Sequence, residues 1–370
     1  VSNLEEQFAE QIREAENKRL SLRIRGSGSK DFYGLPMDES PVLDTRGHSG
    51  IVDYEPTELV VTARCGTPLA ELETLVEQSG QMLPFEPPHF GPAATLGGML
   101  AAGLSGPRRA TAGALRDHTL GVKMLDGRGQ ALSFGGQVMK NVAGYDLSRV
   151  MPGSLGTLGL VLEVSLKTLP RPQMEATLRF ELPQDRAIES LNRWAGRPLP
   201  ISASLWTGSD EGGELSLRLS GAEPAIDAAA AHLGGERVAE AQARALWQTV
   251  REQRHAFFAR AVAAGTPLWR LSVPSTTPVA ALQALGTEPL IEWGGALRWF
   301  AGRRGDAARI RQVARQAGGH ATLFRAEDAL RREAGVFQPL AAPLDRIHRD
   351  LKTAFDPHGL FNPGRMYAGF

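Results

Sequence analysis

A chain of 370 residues, 42% hydrophobic and 22% charged, is long enough for two or three domains with sizeable cores. Its 41 lysines and arginines balance 41 aspartates and glutamates, and a net charge of zero argues against a general nucleic-acid binder. The single cysteine, Cys65, allows no internal disulfide and no cysteine-ligated iron–sulfur cluster from this chain alone; it reads as a small buried strand residue.

Residues 2–17 are predicted to form an amphipathic helix, with Ser2 and Glu5 as a capping box and Leu4, Phe8 and Ile12 on one face. The polar start and the lack of any apolar run of spanning length predict a cytoplasmic protein. Leu20, Leu22 and Ile24 alternate with Ser21, Arg23 and Arg25, a half-buried strand. It runs into Gly26-Ser27-Gly28-Ser29-Lys30, where backbone donors, hydroxyls and one cation could cradle a phosphate. A plain turn is the alternative, since the spacing is neither GxGxxG nor a Walker loop. Val42–Thr45 and Ile51–Asp53 are expected to pair, followed by a strand over Leu59–Ala63. Thr67 as N-cap, Pro68 at the first position and Gly80 as stop then frame a helix, with Leu69, Leu72, Leu75 and Val76 as its buried stripe.

Residues 91–113 form a second glycine-rich segment. Thr95 can cap a short helix on which Gly97, Gly98, Ala101, Ala102 and Gly103 leave a nearly bare surface. Interior glycine costs about 1 kcal/mol against alanine, so the bareness needs a reason: a close-packed helix or a flat ligand. Val122–Leu125 and Ala131–Phe134 flank Asp126-Gly127-Arg128-Gly129 as a hairpin. The third glycine-rich stretch, Lys140–Leu162, repeats glycine at 153, 156 and 159 and enters a strand through Leu160, Leu162, Val164 and Leu166. Such a turn can line up N–H groups as an anion nest, or simply feed a buried strand. Pro170 and Pro172 close the strand, and a domain boundary is placed near residue 171.

From 173 to about 330 the rhythm changes. Strand 174–182, helix 184–195, strands 201–206 and 214–219 and helix 223–233 come first, then a helical stretch over 236–264. The order recurs as strand 268–273, helix 278–285, strands 289–293 and 296–301, helix 306–317 and strand 320–325. Two ferredoxin-like β-α-β-β-α units sharing one antiparallel sheet are expected. A helix over 342–355 precedes a series of turns from Asp356 to Arg365. Residues 296–370 hold 13 Lys/Arg against 7 Asp/Glu, either a solvated face or a docking surface for an acidic partner or cofactor phosphate.

Three glycine-rich turns, each beside a strand, together with Asn362-Pro363-Gly364 near the end, resemble the FAD-binding domain of the vanillyl-alcohol oxidase/p-cresol methylhydroxylase (PCMH-type) flavoproteins. The resemblance implies an α+β fold: a PCMH-type FAD-binding domain of two α+β subdomains (1–171), a cap or substrate-type α+β domain with an antiparallel sheet of ferredoxin-like units (172–335), and a C-terminal segment returning to the FAD domain (336–370). It assigns cofactor contacts to Arg25, Gly26, Ser27, Gly28, Ser29 and Lys30 in the first turn, and to Thr95, Leu96, Gly97, Gly98, Ala101 and Gly103 in the second segment. Gly113 and Asp117 follow, then Gly153, Ser154, Gly156, Thr157, Gly159 and Val161, and finally Asn362.

The run KNVAGYDLSRVMPGSLGTLG and the short overall length are similar to the FAD-binding E subunits of bacterial glycolate oxidase (glycolate dehydrogenase). That implies a heteromeric complex with a catalytic FAD-containing D subunit and an iron–sulfur F subunit. The complex would oxidise glycolate to glyoxylate and pass electrons towards the respiratory chain, with any inner-membrane attachment made through partners. Relatives with covalent flavin often carry a histidine in or near the first turn. The turn here has none, so the FAD is expected to be noncovalent.

Catalytic 2-hydroxyacid dehydrogenases of the family carry a Gly-Glu-His-Gly type motif and further histidines. This chain has Glu292-Trp293-Gly294-Gly295 in that region, and its eight histidines show no metal-ligand spacing, so no metal is expected. Oxidising a 2-hydroxy acid needs a cation for the carboxylate and a base for the hydroxyl proton. Arg298, Arg303 and Arg325 are candidates for the first; no residue is assigned as catalytic. An accessory or electron-transferring subunit is the leading expectation. A self-sufficient FAD-linked D-lactate or glycolate dehydrogenase and a scaffold without FAD are the alternatives.

Overall fold

The computed structural model describes residues 3–37, 39–136, 146–209, 212–286 and 288–370. Ser2 of the expected capping box and residues 140–145 of the third glycine-rich stretch lie outside them. The chain divides into two compact units. One comprises Val1–Leu104, Ala114–Arg171 and Pro339–Phe370; the other comprises Ser105–Gly113 and Pro172–Gln338.

In the first unit α1 (Asn3–Lys18) buries Phe8, Ala9, Ile12 and Ala15, the stripe that its heptad-like spacing demands. β1 (Arg23–Arg25) pairs in parallel with β2 (Val42–Asp44), and this corrects the expected pairing of 42–45 with 51–53. β3 (Ile51–Glu55) turns back instead on β4 (Val60–Arg64). α2 (Leu69–Gln78) starts without a side-chain cap. The Thr67 hydroxyl, expected to be the cap, accepts from Gly50 N at 2.9 Å and donates to Gly50 O at 3.2 Å. The helix's first amide, Leu69 N, is satisfied by Ala94 O at 2.8 Å instead. Short β5 (Gln81–Met82) leads to α3 (Leu96–Ala102), whose N-cap is Thr95, as its sequence predicts.

The chain then joins the second unit over Ser105–Gly113, which contains α4 (Arg109–Ala112), and returns as the hairpin β6 (Thr119–Leu125) and β7 (Ala131–Gly135). β8 (Leu160–Lys167) completes an antiparallel five-stranded sheet in the order β3-β4-β8-β6-β7, and β9 (Leu169–Pro170) pairs with β5. Both faces of β8 are used: Val164 and Leu166 pack with α2 and α3, while Leu160 and Leu162 pack with α1, Leu22 and Phe361.

The second unit holds one eight-stranded, wholly antiparallel sheet. Its first half is β10 (Met174–Glu181), α5 (Gln184–Ala195), β11 (Ile201–Ser209), β12 (Gly212–Gly221), α6 (Glu223–Leu233) and β13 (Glu236–Arg237). After α7 (Glu240–Arg251) and α8 (Ala256–Ala263) come β14 (Leu268–Ser272), β15 (Leu290–Glu292), β16 (Leu297–Ala301), α9 (Ala307–Gln316) and β17 (His320–Arg325). The sheet order β13-β10-β12-β11-β15-β16-β14-β17 is two ferredoxin-like units of opposite strand sequence, joined edge to edge through β11 and β15.

Two expected helices differ. Residues 278–285 form two single 3₁₀ turns, with Leu282 and Leu285 dipping into the core. The stretch 236–264 begins as β13 and is later broken between α7 and α8 near Gln253, whose φ of 52° is left-handed. α10 (Asp328–Ala334) ends this unit, and α11 (Ala342–Phe355) returns the chain to the first. Among the described residues no helix is long and apolar enough to cross a membrane.

Candidate cofactor-binding site

Two adjoining open concavities of about 520 and 550 Å³ run along the first unit, within the range of small-molecule sites. Both are bounded by Ile24, Gly26, Gly98, Ala101, Leu155 and Asn362, so they form one groove. One half takes the first turn, Arg25 to Lys30, together with Thr95. The other takes Gly97, Ser154, Gly156, Gly159 and Val161.

Local chemistry explains why these segments meet. Thr95 Oγ1 accepts from Gly98 N at 3.2 Å and starts α3 beside the end of β1. A Cβ on Gly98 would meet only Thr95 Oγ1, at 3.3 Å, so the helix presents a bare flank to the groove. Asn362 closes the far side. Its Oδ1 accepts from Ile24 N at 2.9 Å and its Nδ2 donates to Leu155 O at 2.7 Å, tying β1 to the third glycine-rich turn. Gly156 sits against it with φ of 70°, and a Cβ there would lie 2.7 Å from Asn362 Nδ2.

The groove's cationic end is pre-ordered. Asp31 accepts from Arg23 Nη2 at 2.9 Å and pairs with Arg25 Nη2 at 2.8 Å. Lys30 Nζ donates to His89 O at 3.0 Å and to Ser29 Oγ at 3.3 Å. Arg365 donates to Leu35 O at 2.7 Å and Asp31 O at 2.9 Å, clamping the loop from the C-terminal segment. Among the residues lining this half, four cations against one carboxylate leave it positive, which suits a diphosphate. The bare helix flank, the positive rim and the volume fit an FAD.

Six of the residues assigned by resemblance are not part of the lining. Leu96 and Thr157 are fully buried; the Thr157 hydroxyl donates to Ser154 O at 2.7 Å. Gly103 is the left-handed C-cap of α3, and a Cβ on it would lie 2.7 Å from the Gly153 backbone. Gly153 itself is tied to α3, its N donating to Leu100 O at 2.9 Å. Gly113 ends α4 and belongs to the second unit. The Asp117 carboxylate accepts from Ala114 N at 2.8 Å and holds a local turn. Conversely, Thr45, Cys65 and Arg365 line the groove without having been assigned. Burial pushes the Cys65 thiol far above its ordinary pKa, which makes it a packing residue.

The three arginines expected to hold a carboxylate are differently placed. Arg298 is fully buried and donates through Nε to Gly295 O at 3.0 Å, which makes it a backbone brace; burial lowers its pKa to about 10. Arg303 is exposed in a loop. Arg325, at the end of β17, lies over the Phe324 ring, and burial lowers its pKa to about 10 as well.

Among the described residues, Glu5, His48 and Glu163 bring three ligand-type atoms within 4.8 Å of one another. Lys123 Nζ donates to both Glu5 oxygens, at 2.9 and 3.1 Å, and lies 3.8 Å from Glu163, so an ammonium already balances the cluster. His48, 4% exposed, has its pKa lowered chiefly by lost hydration; Glu5 and Glu163 oppose that shift only in part, and Arg64 and Lys123 reinforce it. The sign follows. A histidine with a folded-state pKa below its unfolded one costs nothing above pH 6.5, and destabilises the fold as pH falls from there towards the folded value. His48→Gln should therefore flatten the acid limb of a melting-temperature profile below pH 6.5, by at most ~1.4 kcal/mol per pH unit. An unchanged acid limb would show that His48 does not titrate there.

A groove of this architecture is that of an FAD-binding flavoprotein, and residues 3–135 match the FAD binding domain family. The chain is 49% identical over 359 residues to the glycolate oxidase subunit GlcE of Escherichia coli, covering 97% of this chain and 96% of that protein. It belongs to that family of glycolate oxidase subunits. The glycolate oxidase subunit GlcD of Bacillus subtilis is 32% identical over 161 residues, 43% of this chain and 34% of that one. The structure of an alkyldihydroxyacetonephosphate synthase shares the fold, with a TM-score of 0.66 at 15% identity over 97% of this chain and 75% of that one.

Proposed function

We propose that this chain is the FAD-carrying, electron-transferring subunit of a glycolate-oxidising complex, acting beside a catalytic FAD-containing D subunit and an iron–sulfur F subunit. The observation that supports the reading is 49% identity over nearly the whole length to a protein named as a glycolate oxidase subunit. Bound FAD would supply two-electron chemistry that protein side chains lack. The chain's own residues would position it: Arg25 and Lys30 beside the diphosphate, the Gly97–Gly98 flank against its flat parts, and Asn362 holding the third turn closed, all without a covalent bond. Substrate oxidation by this chain alone is disfavoured by the lack of a histidine in Glu292-Trp293-Gly294-Gly295 and by Arg298's commitment to backbone carbonyls.

The test is glycolate-dependent dye reduction by the purified chain, alone and mixed with the two partner subunits. The expected result is at least a hundredfold gain on mixing. Full turnover by the isolated chain would replace this reading with the self-sufficient dehydrogenase.

A further inference from the structure

We propose that Asp31 is a positioning residue for the cofactor: it fixes the Arg25 guanidinium for the diphosphate and so raises flavin affinity, although it adds a negative charge beside an anion. It is the only carboxylate among the described residues that line the cationic half of the groove. Arg23 and Arg25 stand two residues apart on β1 and project from the same face, so their charges repel. Asp31 Oδ2 lies between them. It accepts from Arg23 Nη2 at 2.9 Å and from Arg25 Nε at 2.9 Å, with Arg25 Nη2 at 2.8 Å. One oxygen thus holds one edge of the Arg25 fork. Among the described residues nothing accepts from Arg25 Nη1, which leaves a donor for a second anion.

The guanidinium is also held by the turn itself. Gly28, with φ of 78°, brings bare backbone against it, and a Cβ there would lie 2.8 Å from Arg25 Cζ. Asp31 is set in turn by backbone contacts: its N donates to Gly28 O at 3.0 Å and its O accepts from Arg365 Nη2 at 2.9 Å. The Asp31 side chain is 38% exposed and that of Arg25 41%, so their ion pair contributes little to the fold. What it fixes is the rotamer of a long side chain, an ordering that binding must otherwise supply. Charge alone gives the opposite sign. A carboxylate in an anion site repels the anion, and removing it should tighten binding. The sign of the change therefore separates positioning from simple electrostatics.

That the anion is the diphosphate of FAD rests on the proposed function; that Asp31 fixes Arg25 does not. The experiment is titration of the flavin-stripped full chain with FAD, followed by flavin fluorescence, with calorimetric melting of the same samples. The parent is expected to bind saturably. Asp31→Ala is expected to bind at least tenfold more weakly with its melting temperature unchanged, and Asp31→Asn, which keeps one oxygen acceptor, to fall between. Asp44→Ala removes a carboxylate that pairs with Arg46 instead, so affinity should stay within threefold of the parent. In an Arg25→Gln background the loss on replacing Asp31 should shrink below threefold, because the group it positions is gone. Binding by Asp31→Ala as tight as the parent's, or tighter, would overturn the assignment, and so would a tenfold loss that persists without Arg25. A parent chain that binds no FAD would refute the reading of the groove, and the assignment with it.

Discussion

A Gly98→Leu chain is expected to fold at least as well as the parent and to purify without flavin. The two effects have opposite signs because they arise in different places. Within α3, replacing an interior glycine by leucine gains roughly 0.5–1 kcal/mol of helix propensity. The only neighbour a Cβ would meet is the Thr95 hydroxyl at 3.3 Å, which a shift of a few tenths of an ångström relieves. The rest of the side chain enters the groove that both concavities share. It would occupy volume where a flat ligand must touch backbone, and a loss of flavin affinity of at least a hundredfold is expected. Flavin content by absorbance and melting temperature by calorimetry read the two effects separately. Retained flavin at full occupancy would mean that α3 is not the cofactor's bed. Gly97→Ala is the contrasting case: its Cβ would lie 2.9 Å from Cys65 O, so it should lose stability before it loses flavin.

The second large effect is expected from Asp356→Ala, which lies outside the groove's lining but holds the turn that carries Asn362. Asp356 is 1% exposed; its carboxylate pairs with Lys352 at 2.6 Å and accepts from Leu360 N at 2.9 Å and Phe361 N at 2.8 Å. Lys352 Nζ also donates to Thr157 O at 2.6 Å and Phe361 O at 3.1 Å. Burial pulls the Lys352 pKa down and Asp356 opposes it. Removing the carboxylate leaves a buried ammonium without its counter-charge, a change that costs about 3–5 kcal/mol. In a unit of this size that lowers the melting temperature by roughly 10 °C. The turn carrying Asn362 would be released with it, so flavin should also bind more weakly. Asp356→Asn keeps one acceptor and should fall between. A melting temperature within 2 °C of the parent for Asp356→Ala would refute the account of this turn.

How far the sequence revealed the molecule depended on how local each cause was. α1, α3 and α11 follow from apolar spacing and one cap, and the two ferredoxin-like units follow from element order alone. Pairing partners were harder. β2 is three residues long, and nothing in its own letters says that it adds to β1 in parallel instead of to β3. Thr67 had the chemistry of an N-cap, but its hydroxyl is taken by Gly50, 17 residues earlier in the chain and outside any local pattern.

At the groove, small residues next to strands were legible because close approach of backbone leaves its mark in composition. Arg365 was not, because its role is to bond three carbonyls of a loop more than three hundred residues away. The placement of Ser105–Gly113 was hidden for a similar reason: the segment lies between parts of the first unit in sequence but packs in the second, with Arg109 on Trp293. The arginines on predicted strands drew attention instead, and Arg298 proved to be a brace for the turn before it.

The central claim, a noncovalent FAD carrier that depends on partners for substrate oxidation, is tested most directly by one spectrum. The visible absorption of the purified chain would be recorded before and after anaerobic addition of glycolate. The account predicts a flavin spectrum that glycolate leaves unbleached, and that acid precipitation releases quantitatively into the supernatant. Prompt bleaching by the chain alone, or a protein without flavin, would contradict it.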